Sequence, residues 1–78
     1  MELEQQIFQT IAATFSVDPA TISINTSQHQ LKGWDSLGQL RLIMQLEAEF
    51  NISFSIDEIP LLTNVEKLVN SIRTKKQD

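Results

Sequence analysis

Apolar residues recur along this chain at helical intervals. Leu3, Ile7, Phe8, Ile11, Ala12 and Phe15 follow the i, i+4, i+8 spacing of one helical face and predict a first helix over about 2–15. Val17-Asp18-Pro19-Ala20 ends it, with Asp18 and Pro19 suited to cap a short turn of their own. A second periodic run covers Ser36 to Phe50 and stops at Asn51. Ile52 to Ile56 then alternates apolar and polar like a strand, but no second strand is in sight, so an extended connection is predicted. Ser55 and Glu58 are spaced as a capping box for a short helix over 56–61. Thr63-Asn64-Val65-Glu66 is spaced as another, opening a last helix over 64–73, with Val65, Leu68, Val69 and Ile72 as its apolar stripe and a frayed tail at 74–78. The sum is an all-α fold, a small four-helix bundle of three longer helices and one short one, in a single domain spanning 1–78.

Residues 16–35 form a first loop that is long for so compact a chain, and something must pin it. Val17, Ile22, Ile24, Leu31 and Trp34 are the candidates, Trp34 as an anchor against the bundle or else as a partner contact.

The second helix carries more apolar surface than one face holds. Leu42, Ile43, Leu46 and Phe50 make an ordinary core stripe, while Leu37, Leu40, Met44 and Ala48 make another. Gly38, Gln45 and Glu49 form its polar side. Either this helix sits centrally and buries both stripes, or Leu37, Leu40 and Met44 stay exposed, rimmed by Arg41 and Glu47, as a docking surface.

That second stripe begins beside Ser36. Asp35 is a good N-cap, which puts Ser36 in the first helical turn, next to unpaired amides and the positive end of the helix dipole. An anionic phosphodiester on its hydroxyl is favoured there. The chain itself offers nothing to activate that hydroxyl. His29 is the one histidine and lies in a polar loop stretch, there is no cysteine, and Gly33 and Gly38 form no phosphate loop. The reading is therefore a non-enzyme without a metal site.

Charge narrows the partners. Of the formal net charge of −4, residues 1–72 hold −6, nine acids against Lys32, Arg41 and Lys67, because Arg73, Lys75 and Lys76 cluster near the end. Such a body disfavours nucleic acid and anionic membranes. The N-terminus has no signal-peptide pattern, and no apolar run approaches the roughly 18 residues of a membrane span, so a cytoplasmic monomer is expected.

With Asp35-Ser36-Leu37 at a helix start, the chain resembles the acyl carrier proteins of the phosphopantetheine-binding family. The likeness runs from Leu31-Lys32-Gly33-Trp34 through the Glu47-Ala48-Glu49-Phe50 ending to Ile59 and Thr63-Asn64-Val65. The triplet alone is weak; the whole arrangement is more specific. The resemblance implies that a phosphopantetheinyl transferase moves 4′-phosphopantetheine from coenzyme A onto Ser36, with Asp35 its motif neighbour. The arm's thiol then carries an acyl or aminoacyl group, loaded by a ligase and passed to downstream transferases. The same likeness places Leu37, Leu40, Met44 and Glu47 among the positions shown to partners, with Arg41 at the edge.

Fatty-acid carriers of this family have a densely acidic second helix. Here Gly38, Gln39 and Arg41 break that pattern, which points to a free-standing carrier dedicated to one biosynthetic pathway. Bulky Phe50 and Phe54 fill space a long chain would need, so a short or polar cargo is expected. The reading from another class is an unmodified helical adaptor that binds a partner through the Leu37, Leu40 and Met44 face.

Overall fold

The computed structural model describes residues 2–76. Among them three α-helices, α1 (Glu2–Phe15), α2 (Ser36–Phe50) and α3 (Val65–Lys76), are joined by connections containing single 3-10 turns at Pro19–Thr21, Gln28–Gln30 and Ile59–Leu61. The predicted apolar faces meet: Ile7, Ile11 and Ala12 of α1, Leu42, Ile43 and Leu46 of α2, and Val65, Leu68, Val69 and Ile72 of α3 are all buried in one core.

Both long helix ends are set by local chemistry. Ser16 (φ 57°) and Asn51 (φ 54°) take the left-handed conformation, and the next amide bonds five residues back, Val17 to Ala12 and Ile52 to Glu47. Asp18 caps the turn after α1, its Oδ1 accepting from the Ala20 amide at 2.9 Å.

Two predicted elements differ. The short helix at 56–61 is only the 3-10 turn Ile59–Leu61. The Ser55–Glu58 capping bonds do form, with Ser55 N donating to Glu58 Oε2 and Glu58 N to Ser55 Oγ. Pro60 then removes an amide donor just where a helix would need to extend. The last helix starts at Val65 and continues to Lys76, so residues 74–76 are helical where fraying was expected; 77–78 lie outside the described residues. Its cap is Asn64, whose Oδ1 accepts from the Lys67 amide at 2.8 Å, in place of Thr63. Tertiary partners hold the added turn. Arg73 pairs with Glu4 of α1, and Lys75 pairs with Glu58, each at 3.0 Å.

The long first loop is pinned in two ways. Ile22 and Trp34 are buried, Trp34 stacking on Phe15 with ring centroids 5.7 Å apart. Val17, Ile24 and Leu31 pack on the core half-buried. Backbone bonds also tie the loop to the start of α3: Gln28 N donates to Thr63 O and Val65 N to Thr26 O, around an isolated bridge between Ser27 and Asn64. Residues 52–55 belong to no helix or strand and Ile56 begins a turn, with Phe54 buried and Ile56 exposed.

Candidate functional site

Ser36 is the first residue of α2 and is exposed. Its position follows from Asp35, whose backbone is extended while its Oδ1 accepts from the Gly38 amide at 2.8 Å. Gln39 N reaches back to Asp35 O at 2.7 Å. The Ser36 and Leu37 amides precede any intrahelical acceptor, so the first turn offers donors and the dipole's positive end beside the hydroxyl. Among the described residues the Ser36 hydroxyl makes no hydrogen bond, which leaves it open to solvent and to another protein's active site.

The two glycines shape the approach. Gly33 has φ +92°, a left-handed backbone conformation that L side chains rarely adopt. Its carbonyl oxygen lies so near Gly38 that a Cβ on Gly38 would collide with it. The loop before Ser36 can therefore lie directly on the first turn of α2.

A cleft of about 430 Å³ opens beside Ser36, between α2 and the Ile59–Leu61 turn, with Gln39, Leu40, Pro60 and Thr63 among its walls. A larger concavity of about 730 Å³ lies between α1 and α2, bordered by Gln6, Thr10, Arg41, Met44 and Glu49. It does not reach Ser36, so its size does not locate the chemistry.

The question of two stripes is decided by geometry. Leu37, Leu40 and Met44 are 74%, 52% and 68% exposed, while the Leu42, Ile43 and Leu46 stripe is buried. The other two helices and the connections cover α2 on one side only. Arg41 is exposed beside these apolar residues. Glu47 is half-buried, because its Oε2 accepts from the Phe54 amide at 2.9 Å and so holds the connection after α2.

Gln39 was not singled out as a site residue from sequence, yet its side chain makes three hydrogen bonds beside the site. It is 7% exposed. Its Oε1 accepts from the Trp34 indole at 2.6 Å, and its Nε2 donates to Ile59 O at 2.8 Å and Leu62 O at 3.0 Å. The signal was present: Gln39 precedes Leu42, Ile43, Leu46 and Phe50 by three, four, seven and eleven positions, which puts an amide on the core stripe.

On the far side of that turn Glu58 gathers a second cluster. Burial alone would raise its carboxyl, but bonds from the Ser55 amide, Lys75, Ser71 and the Ser55 hydroxyl outweigh it and lower the pKa to about 2. Lys75 Nζ bonds both Glu58 oxygens and stands 5.2 Å from the Phe54 ring centroid. His29 is exposed in the first loop, away from any such cluster. Among the described residues no group of three or more metal-ligating side chains converges, and no helix is long and apolar enough to cross a membrane.

A helical domain with a capped, exposed serine at the mouth of its central helix defines a class, and the comparisons agree with it. The family model described as the phosphopantetheine attachment site matches residues 5–72. The chain belongs to that family. The solution NMR structure of a holo acyl carrier protein from Geobacter metallireducens is similar, with 27% identity and a TM-score of 0.86, covering 99% of this chain and 88% of that one. The protein is thus a carrier and not an enzyme, and it bears a covalently attached 4′-phosphopantetheine. The unmodified-adaptor reading is not favoured. Such carriers work with a phosphopantetheinyl transferase and with biosynthetic enzymes.

The residues present suit that group. An exposed hydroxyl would hold the phosphodiester, and the first-turn amides beside it would suit that group's negative charge.

Proposed function

We propose that Ser36 Oγ is the attachment point of the arm and that the chain carries an acyl or aminoacyl intermediate between the enzymes of one biosynthetic pathway. The observation that carries this is an exposed serine at the first position of α2, following the Asp35 cap, whose hydroxyl is unbonded among the described residues. Asp35 orders the turn so that the hydroxyl projects from a fixed helix end. When bound, the group supplies a thiol on a flexible tether, which holds its cargo as a thioester.

Leu37, Leu40, Arg41, Met44 and Glu47 form the proposed docking face. Its exposed apolar centre is continuous with Ser36, so an enzyme seated on it has the arm at hand. The acids of α2 are only Glu47 and Glu49, and Glu47 already holds the Phe54 amide. Partners that read a densely acidic helix would find little here, which supports a dedicated pathway rather than general fatty-acid elongation. The proposed partners are a phosphopantetheinyl transferase, a loading ligase and downstream transferases, met by a monomer in the cytoplasm. The net-acidic body argues against nucleic acid and anionic membranes as partners.

Intact mass after incubation with coenzyme A and a broad-specificity phosphopantetheinyl transferase tests the reading. One added phosphopantetheinyl group is expected on the wild type and none on Ser36→Ala. A gain that survives Ser36→Ala overturns the assignment.

A further inference from the structure

The cleft beside Ser36 ends at a polar barrier. Gln39 lines it from α2, and Ile59 and Pro60 line it from the turn opposite. The Gln39 carboxamide does not reach into the cleft as a free group. Both its amide protons are engaged by the Ile59 and Leu62 carbonyls, and its oxygen is engaged by the Trp34 indole. Trp34 and Leu62 belong to the buried core, as do Leu42 and Leu46 further along α2. Gln39 therefore stands where the cleft meets the core, fastening α2, the first loop and the 59–62 segment to one another.

An alkyl chain tethered at Ser36 could enter the core from this cleft only by parting α2 from the 59–62 segment. That would separate Gln39 from two carbonyls and an indole N–H in a place with little water. An alkyl chain has no donor or acceptor to offer them, and buried polar groups left without partners cost more than a few buried methylenes return.

We propose that Gln39 is a specificity-determining residue that bars alkyl cargo from the core, so that this carrier holds its acyl group outside, in the cleft or in solvent. The inference rests on attachment at Ser36 and deepens that reading. Short or polar acyl groups lose nothing by staying outside, whereas a long chain gains no shelter from the carrier.

The test loads the full chain with acetyl- or octanoyl-phosphopantetheine from the corresponding coenzyme A thioester and the same transferase, with intact mass confirming one group. Two-dimensional NMR then follows the Trp34 indole N–H, the single tryptophan signal, and the methyls of Leu42, Leu46 and Leu62. In the wild type the two loaded forms should coincide at these signals. In Gln39→Met, of similar length but without the hydrogen bonds, octanoyl should shift the methyls relative to acetyl and raise the melting temperature. Gln39→Leu serves if the first variant does not fold.

Octanoyl-induced shifts of the core methyls in the wild type overturn the proposal. So does a folded variant whose octanoyl and acetyl forms coincide. A chain that gains mass at a residue other than Ser36, or gains none, fails the attachment reading first, and the proposal falls with it. If neither variant folds, coincident wild-type spectra with an unmoved indole signal sustain the proposal.

Discussion

Gly38 of α2 lies against the carbonyl oxygen of Gly33, so close that there is no room for a Cβ between them. Glycine in a helix interior normally weakens it. Here it lets the loop backbone lie on the first turn and hold the approach to Ser36. The obstacle is backbone and not a flexible side-chain end, so relief requires the loop to move. Gly38→Ala should therefore destabilise the fold by about 2–3 kcal/mol, read as a lower urea midpoint with an unchanged m-value.

Glu58 gives a pH dependence with a defined sign. Its carboxyl is lowered from 4.5 to about 2 in the folded chain. A depressed folded value means that the stabilisation is complete above the unfolded pKa, declines as pH falls below about 4.5, and is gone near 2. The Lys75–Glu58 pair is about a quarter exposed on each side, so solvent screening reduces the contribution to ~1 kcal/mol. Urea unfolding of Glu58→Gln should fall short of the wild type by that amount at pH 7 and almost as much at pH 5, with the gap narrowing at pH 3.5 and below.

Asn64, not Thr63, caps α3. Asn64→Ala should cost about 1 kcal/mol. Thr63→Ala keeps the backbone carbonyl that accepts from Gln28 and should cost less than about 0.5 kcal/mol. Equal losses from the two variants, compared by thermal and urea unfolding, would contradict the observed cap.

Leu40 and Met44 separate docking from folding. Both are largely exposed, so Leu40→Ala and Met44→Ala should shift stability by no more than about 0.5 kcal/mol. If they anchor partner enzymes, each should lower kcat/KM for arm transfer or loading by roughly fivefold, equivalent to about 1 kcal/mol. Steady-state assays with the carrier as varied substrate, beside circular dichroism melts, make the comparison.

The three long helices were legible because their apolar residues keep helical phase over several turns, a signal that needs no knowledge of neighbours. The reciprocal Ser55–Glu58 spacing was legible too, yet the helix it announced shrank to one 3-10 turn. Capping bonds organise a start, but propagation past Pro60 needs amides that proline lacks. The opposite error fell on α3. Residues 74–76 read as a charged tail, and they are helical because Arg73 and Lys75 find Glu4 and Glu58, partners 69 and 17 positions away.

The order of residues alone determined the helical class, the Asp35 cap and the placing of Ser36 at a helix mouth. These depend on periodicity and on contacts three or four residues apart, which local chemistry dictates. Only the tertiary structure decided which stripe of α2 stays bare, why Gly38 is tolerated and that Gln39 is buried. The first depends on which side of α2 the rest of the fold covers, and the other two on backbone carbonyls at Gly33, Ile59 and Leu62 whose positions exist only once the chain has packed.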